Sequence, residues 1–412
     1  MNGNRWLAGI ALAGVCAQLW AAVPPVPAPI ENPISEPKRV LGKILFWDEQ
    51  LSSNDTVACG TCHRPGSGGA DPRAGRYPGV DKGTIDDVRG SPGIIFLDTD
   101  DKPTPHPIFG DQPQVTPRLS PSNFGAIWAE ELFWDGRAGS TLVDPLTGRT
   151  AIARGGALEN QTLTALMNDA EMAKKGRTWT ELTTKVAGSR PLALATDLPR
   201  DIAAALRAAA SYPRLFAAAF GDETVTPLRI AFAIATYERT LVSDQTVWDR
   251  FDAGDETALT GRALYGWRAL QNFHCTACHT PPLFTNNEFF QIGLRRADFD
   301  RGRQNVTHDP EDAGEMKVPS LRNAALRPRF MHTGEFDNLG AAIGFYVTTL
   351  ALPERDAIPG AGLYTFNMSQ VDENDIREFL TTALTDPRVR DEQFPFDRPT
   401  LRSERLRDGV YP

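Results

Sequence analysis

The sequence predicts a mostly α-helical protein of two domains with long irregular loops. Helical spacing of apolar residues dominates the 412-residue chain, strand patterns are few, and the motif Cys-x-x-Cys-His occurs twice, more than two hundred residues apart. A chain of this length can form two hydrophobic cores. We place the first domain at residues 30–250, the second at 256–386 and a tail at 387–412, with the domain boundary near residues 249–256.

The first 22 residues have the features of a secretory signal peptide. Arg5 precedes an apolar run at residues 6–15, and small residues follow near the end of the segment. Val15 before Cys16 makes a poor lipoprotein cleavage site, so we expect removal of residues 1–22 rather than anchoring. No other apolar run is long enough to cross a bilayer, so no membrane span is expected in the mature chain.

Two segments of contrasting composition open the first domain. Residues 41–47 predict a short helix that ends at a turn region, residues 48–55. Residues 65–121 are rich in Gly, Pro and Asp with weak periodicity, which is typical of long irregular loops rather than sheet.

Helices dominate the remainder of the first domain. Residues 201–220 are rich in Ala and predict a helix that ends at Gly221. Thr226 is a suitable N-cap and Pro227 suits the first helical position, so a second helix is expected to run to about Leu241.

The second domain also shows helical patterns. Ser369 and Asp372 have the spacing of a capping box ahead of a helix. The tail after Asp386 is charged and rich in Pro, and we expect it to wrap the surface. Residues 257–272 place five apolar side chains on one helical face: Leu259, Ala263, Leu264, Trp267 and Leu270.

The two Cys-x-x-Cys-His motifs are haem c attachment signals, in which two thiols bond to the haem vinyl groups and the histidine binds the iron. A single copy would also suit a zinc half-site or a redox pair. Two copies with a trailing histidine, and no cysteine left to complete a zinc tetrad, favour haem. The sequence therefore predicts two cytochrome c-like domains with two covalently bound haem c groups. The residues are Cys59, Cys62 and His63 in the first motif and Cys275, Cys278 and His279 in the second.

The net charge and the predicted export limit the cellular location and the classes of partner that are expected. A formal net charge of −9 without a basic stripe argues against nucleic acid as a partner, whereas a small redox protein stays suitable. An exported bacterial chain with covalent haem is expected in the periplasm.

Candidates for the second axial ligand of each iron are scarce. Apart from the two motif histidines the chain has His106, His274, His308 and His332, and none of its methionines is compelled to be a ligand. This matters because an iron with an open coordination position activates small molecules, whereas an electron carrier keeps both positions filled.

Four further motifs stand in order between residues 41 and 346: Leu45-Phe46-Trp47-Asp48-x-x-Leu51-Ser52, Phe133-Trp134-Asp135-Gly136-Arg137-Ala138, Gln161 to Met172, and Lys317-Val318-Pro319-Ser320-Leu321-Arg322-Asn323 followed by Phe330-Met331-His332-Thr333-Gly334. Together they resemble the bacterial diheme cytochrome c peroxidases and the related MauG-type enzymes. The resemblance implies an oxidoreductase of the diheme cytochrome c peroxidase type, with the first haem as the hydrogen peroxide site.

The resemblance also implies catalytic roles. Gln161 and Glu171 match the pair that lies over the open face of the first haem, where a carboxylate moves the peroxide proton and the amide orients peroxide. Trp134 matches a tryptophan that relays electrons between the haems. From the pattern alone, Glu171 is one more surface carboxylate and Trp134 a core aromatic. An insertion at residues 139–158 separates Trp134 from Gln161 further than is usual in the family.

Two departures from the peroxidases favour the MauG-like branch. Residues 64–80 lack the loop histidine that blocks the peroxide iron until reduction, so the first haem is expected to be open. Tyr346 stands where the peroxidases have a methionine ligand to the second haem, and a phenolate stabilises oxidised iron. Alternatively, Tyr346 belongs to a packed helical face, and Met316 or Met331 is the ligand.

A third departure concerns the calcium ion that the family holds between its haems. The asparagine that supplies the side-chain ligand aligns with Leu119, and leucine offers no oxygen. Backbone carbonyls near Arg327 and Arg329 are the remaining candidates, so calcium is doubtful.

These observations predict a periplasmic diheme oxidase that reacts with hydrogen peroxide and shares the oxidising equivalents between its haems. The electron donor is a small cytochrome c or cupredoxin, or Trp and Tyr residues of a partner protein. The alternative function is a diheme electron-transfer cytochrome without peroxide chemistry, which requires both irons to carry two axial ligands.

Overall fold

The computed structural model describes residues 23–79, 87–347 and 366–407. The predicted signal peptide, with Cys16, lies outside these residues. The helices are α1 (Glu36–Phe46), α2 (Cys59–Cys62), α3 (Ala157–Leu166), α4 (Trp179–Gly188), α5 (Arg200–Ala208), α6 (Tyr212–Phe220), α7 (Pro227–Glu238), α8 (Val247–Asp252), α9 (Gly261–Asn272), α10 (Gln304–Thr307), α11 (Leu339–Gly344), α12 (Gln370–Glu378), α13 (Pro387–Arg390) and α14 (Arg402–Arg407).

Short antiparallel strand pairs accompany the helices. They are β1 (Gly75–Tyr77) with β2 (Val88–Gly90), β3 (Pro92–Ile95) with β4 (Pro113–Val115), β5 (Leu142–Val143) with β6 (Thr150–Ile152), and β7 (Phe289–Phe290) with β8 (Met316–Lys317). The mostly helical prediction is confirmed, although residues 65–121 contain β1 to β4 and are not free of sheet. None of the helices in the described part of the chain has both the length and the apolar character needed to cross a membrane.

The first hydrophobic core is built where α1 packs against α7 and α6. The two helices α1 and α7 approach closely, because Gly42 has no side chain and a Cβ there would lie 1.8 Å from the Ala233 carbonyl oxygen. The predicted N-cap of α7 is confirmed, since the Thr226 hydroxyl accepts a hydrogen bond from the Arg229 amide at 3.2 Å.

The helix predicted at residues 201–220 is two helices in the structure, α5 and α6. Pro213 lies in the first turn of α6, and proline fits there because the first amide groups of a helix have no intrahelical partner. Proline does not suit a helix interior, which is why α5 ends before it. The predicted end at Gly221 is confirmed, with φ +91° in the left-handed region.

The second hydrophobic core lies between α9, α12 and the π-helical turn Phe379–Ala383. The ring centroids of Trp248 and Trp267 are 4.3 Å apart, and the Phe284 and Phe379 rings pack around them. All five apolar residues predicted on one face at residues 257–272 contribute to this core. The predicted capping box is also confirmed, because the Ser369 and Asp372 side chains each bond to the other residue's backbone amide.

The C-terminal tail is not the surface segment that its composition suggested. The side chains of Val389, Phe396 and Leu401 are fully buried in the first core. The Glu49 carboxylate accepts hydrogen bonds from the amides of Arg402 and Ser403, which holds the end of the tail against the first domain. The domain limits at residues 30–250 and 256–386 stay a prediction.

Burial of the tail predicts that Phe396→Ala destabilises the first domain by about 3–5 kcal/mol, because the substitution removes a fully buried ring and leaves a cavity. Phe394→Ala is the matched control, since that ring is 61% exposed in the same segment. Denaturant titrations of both variants would measure the difference. Equal stability of the two variants would show that the tail is not part of the core.

Candidate functional site

The first Cys-x-x-Cys-His motif is held against an aromatic ring of the first core. A Cβ at Gly60 would lie 2.2 Å from ring carbons of Trp47, so only glycine allows α2 to approach this close. The Trp47 indole N–H donates to the Tyr237 hydroxyl at 3.3 Å, which fixes the ring. Packing against Trp47 thereby places Cys59 and Cys62 in a single helical turn at the core surface.

His63 is oriented by a backbone carbonyl. Its Nδ1 lies 3.0 Å from the Gly69 oxygen, and a donated hydrogen bond there leaves the lone pair of the imidazole on Nε2. Burial lowers the pKa of His63, which favours the neutral ring that a metal ligand requires.

Beside this motif lies a cavity of about 780 Å³. Its walls bring together Cys62, His63, Trp134, Gln161 and Glu171, which the sequence spreads over more than one hundred residues. The predicted insertion forms the β5–β6 hairpin and does not separate Trp134 from Gln161, since both line the cavity.

Glu171 is positioned by a tight turn after α3. The Asn168 carbonyl oxygen accepts from the amides of Glu171 at 3.2 Å and Met172 at 2.9 Å, and the Glu171 carbonyl accepts from Ile94 at 3.2 Å. Burial raises the pKa of the Glu171 carboxyl to about 7, and the charge of Arg137 opposes this rise. A carboxyl with this pKa can accept and donate a proton near neutral pH.

Trp134 lies between the first cavity and the second motif. Its indole N–H donates to the Leu119 carbonyl at 2.7 Å, and its ring centroid is 6.1 Å from that of His332. Trp134 also lines a small space of about 60 Å³ together with Pro319. The Pro319 carbonyl in turn lies 3.1 Å from Nδ1 of His279, so only a short stretch of backbone separates Trp134 from the second motif.

Backbone hydrogen bonds link residues 119–134 of the first domain with residues 317–332 of the second, one bond donated from each side. The Leu119 amide donates to the His332 carbonyl at 2.7 Å, and the Lys317 amide donates to the Trp134 carbonyl at 2.8 Å. Each ring directly follows a residue with positive φ, Phe133 or Met331. The two halves thus present the same kind of turn to each other, a correspondence that the sequence analysis did not identify.

The second motif has the same histidine geometry as the first. Nδ1 of His279 lies 3.2 Å from the Phe284 carbonyl and 3.1 Å from that of Pro319, so Nε2 is the nitrogen left for a metal. Cys275 packs against the second core. Burial lowers the pKa of His279, as it does for His63.

Tyr346 lies two residues beyond the end of α11 at Gly344. Leu339, Ile343 and Val347 pack on the second core, and Tyr346 is not among the residues that do so in the described part of the chain. The Tyr346 ring contacts that of Phe345, with centroids 5.1 Å apart, and its place on a packed helical face stays a prediction. Its role as an iron ligand stays a prediction.

The residues present fit two covalent haems. Each motif offers paired thiols and a histidine with a free Nε2, and the first cavity has apolar walls with buried polar atoms among them. Two of these polar side chains, Asn123 and Glu238, carry atoms without a hydrogen-bond partner among the described residues. A large apolar ring with polar substituents suits a cavity wall of this mixed kind.

At the position predicted for calcium, the Leu119 side chain is apolar and its carbonyl oxygen already has a hydrogen-bond partner. Leu119 is buried, and its carbonyl oxygen accepts the Trp134 indole proton. Within the described residues, no group of three or more His, Cys, Asp or Glu side chains is arranged to hold a metal ion. Calcium occupancy itself stays a prediction.

Sequence reasoning missed Glu238 as a cavity residue. It is the only acidic residue of α7, a helix that is otherwise mainly apolar, and this contrast was the available signal. Helical periodicity places Glu238 on a buried surface but does not indicate that a cavity lies beside it.

A family model for di-haem cytochrome c peroxidase matches residues 36–257, more than half of the chain. The chain belongs to the di-haem cytochrome c peroxidase family. It is similar to the methylamine utilization protein MauG of Methylophilus methylotrophus, at 26% identity over 358 residues that cover 86% of this chain and 84% of that protein. It is also similar to the cytochrome c551 peroxidase of Pseudomonas aeruginosa, at 28% identity over 339 residues, 79% of this chain and 77% of the relative.

The fold agrees with this membership. The crystal structure of a MauG-like protein associated with microbial copper homeostasis superposes with a TM-score of 0.63 at 24% identity, covering 91% of this chain and 96% of that one. As a member of the di-haem peroxidase family, the protein is an oxidoreductase, and membership implies oxidation driven by peroxide.

The close contact of the first motif with Trp47 predicts that Gly60→Ala lowers haem incorporation at Cys59 and Cys62, from two haems per chain toward one. The reason is that the added Cβ would collide with the Trp47 ring. Gly188→Ala is the control, since no atom lies within 4 Å of a Cβ at that position. Intact mass and pyridine haemochrome absorbance measure the haem content. Two haems in both variants would contradict the role of the Trp47 contact.

Proposed function

We propose that the protein is a periplasmic di-haem c oxidase of the MauG-like branch. It consumes hydrogen peroxide at the first site and shares the two oxidising equivalents with the second site, which then oxidises an external donor. The observation that supports this most strongly is the common cavity of His63, Gln161 and Glu171 beside the first motif.

The haems are held by the two motifs. Cys59, Cys62 and His63 would attach the first haem, and Cys275, Cys278 and His279 the second. When bound, each haem supplies a redox-active iron, and the remaining chemistry belongs to the side chains.

Glu171 moves the proton. Cleavage of the peroxide O–O bond requires a base that takes a proton from one oxygen and returns it to the other, and Glu171 has a pKa of about 7 for this task. Gln161 lines the same cavity and orients peroxide through its side-chain amide. The turn at Asn168 fixes the backbone of Glu171 relative to the end of α3.

Trp134 carries charge between the two sites. Indole is readily oxidised, and its ring lies between the first cavity and the Pro319 carbonyl that holds His279. We infer that Tyr346 is the second ligand of the second iron, where a phenolate favours oxidised states. Met316 and Met331 are the alternative ligands.

The donor is a small cytochrome c or cupredoxin, or aromatic residues of a partner protein. The names of the relatives fit both kinds of donor, since one relative is a cytochrome c551 peroxidase and the other a methylamine utilization protein. A di-haem electron-transfer cytochrome is the second candidate. The large cavity with Glu171 at its wall favours peroxide chemistry over that alternative.

One equivalent of hydrogen peroxide added to the diferric protein without reductant tests this function. We expect rapid loss of both ferric EPR signals and a new near-infrared band, because the first site is open and the second stores charge. Absence of reaction until one haem is reduced would contradict the open first site and return the protein to the reductively activated peroxidases.

Two substitutions test which residues carry the oxidising equivalents from the first site to the second. Trp134→Phe is expected to keep the reaction at the first site and to slow the change at the second, and Tyr346→Phe to abolish the near-infrared band. Trp128→Phe is the control, because this indole donates to the Pro24 carbonyl away from both motifs. An unchanged second-site signal in Trp134→Phe would remove Trp134 from the pathway.

The pKa of Glu171 predicts a pH dependence of the peroxide reaction. Only the ionised carboxylate accepts a proton, so the rate should rise by about tenfold per pH unit below about 7 and level off above it. Glu171→Gln should lower the rate by about 10²–10⁴-fold and flatten the profile. Asp169→Asn is the control, since Asp169 is exposed and does not line the cavity. Stopped-flow absorbance gives the rates, and a wild-type profile in Glu171→Gln would exclude this role.

A further inference from the structure

A second buried carboxyl, that of Glu238, lines the first cavity. Its side chain is 5% exposed, and Oε2 has no hydrogen-bond partner among the residues that the structure describes. Asn123 lines the same cavity at 8% exposure, with neither polar atom of its amide partnered in that part of the chain. These groups form a polar patch in the cavity wall that is separate from Glu171 and Gln161.

Arg239, a cation that acts on the pKa of Glu238, is itself paired with another carboxylate. Arg239 pairs with Glu159 at 2.6 and 3.1 Å, and Arg137 pairs with Asp135 at 3.0 Å. Burial raises the pKa of Glu238 to about 8 and Glu159 adds to the rise, while Asn123 and Arg239 oppose it.

The fold itself does not require an acid at this position. An unpartnered buried carboxyl costs stability, and the last turn of α7 would be more stable with an apolar side chain there. Hydrogen bonds of the helix do not use the Glu238 side chain. An explanation therefore has to come from the contents of the cavity.

We propose that Glu238 is the residue that takes up a proton from solvent when an electron enters the first site. A ferric haem in the cavity would bring a positive charge that favours the ionised carboxylate, and an added electron would remove this charge and raise the proton affinity of the carboxyl in a desolvated space. The carboxylate gains one O–H bond, the proton comes from water, and the net charge of the cavity is unchanged.

This role deepens the proposed function and rests on it for its place in turnover. Reduction of hydrogen peroxide to two waters consumes two electrons and two protons. Glu171 only moves the proton that peroxide brings, so the further protons must enter from solvent. Glu238 holds one such proton beside the cavity, with Asn123 as a polar neighbour, and the external donor supplies the electrons.

A redox titration without peroxide tests the proposal. We expect the reduction potential of the first haem, followed by EPR and visible absorption, to fall as pH rises above about 7 in the wild type and to fall less steeply in Glu238→Gln, where Glu171 is the remaining titrating carboxyl of the two. Glu238→Asp retains a titratable group and should restore the dependence. Glu130→Gln is the control, because it makes the same change at an exposed carboxyl that pairs with Arg154. A wild-type slope in Glu238→Gln overturns the proposal.

Glu171→Gln separates the two carboxyls of the cavity. If its potential becomes independent of pH while that of Glu238→Gln keeps the wild-type slope, Glu171 is the proton acceptor and the proposal fails. Infrared difference spectra of the wild type, recorded on reduction, should show a carboxylic acid band that shifts in D2O, and its absence overturns the proposal even if Glu238→Gln does not bind haem. If the peroxide reaction fails while the reduction potential keeps its expected pH dependence, the proposed function is refuted and the role of Glu238 is not.

Discussion

Desolvation of the first cavity is the constraint on which the rest of the site depends. Low polarity around the cavity keeps His63 neutral, so that its Nε2 can bind a metal, and raises the pKa of Glu171 and Glu238 toward neutrality. The buried Arg118 guanidinium at the cavity wall is matched by two carboxylates, those of Asp135 and Asp300. In a wet cleft the same carboxyls would be permanently ionised and could not exchange protons at neutral pH.

Close backbone packing maintains this environment. Gly60 lets α2 lie on the Trp47 ring, and Gly93 lets β3 approach the turn before Glu171, since a Cβ there would be 1.9 Å from the Ala170 oxygen. Burial of the C-terminal tail adds Phe396 to the same core, where its ring packs against Phe124. Residues distant from the haem motif therefore contribute to the packing around the cavity.

Local patterns predicted the parts of the structure that depend on neighbours in sequence. The haem motifs, the cap at Thr226, the capping box at Ser369 and the mostly helical fold all follow from short-range spacing. The break between α5 and α6 was missed because the Ala-rich composition outweighed Pro213 in the interpretation. Burial of the tail and the placement of Glu238 at a cavity depend on contacts between distant segments, which periodicity does not record. The resemblance to known proteins pointed to Glu171 and Trp134, and the pattern alone did not.

The electron and proton movements of the proposed function would take place in chemically different surroundings. The Trp134 indole donates to the Leu119 carbonyl, and an amide carbonyl is too weak a base to take the indole proton. Its ring neighbour His332 has its pKa lowered to about 3 by burial and stays neutral at physiological pH. Charge can therefore cross Trp134 without a proton and without a change in the charge of its neighbours. In the proposed function, proton exchange is assigned to Glu171 and Glu238 at the cavity wall, so pH is expected to act on the chemistry at the first site and not on the connection between the two sites.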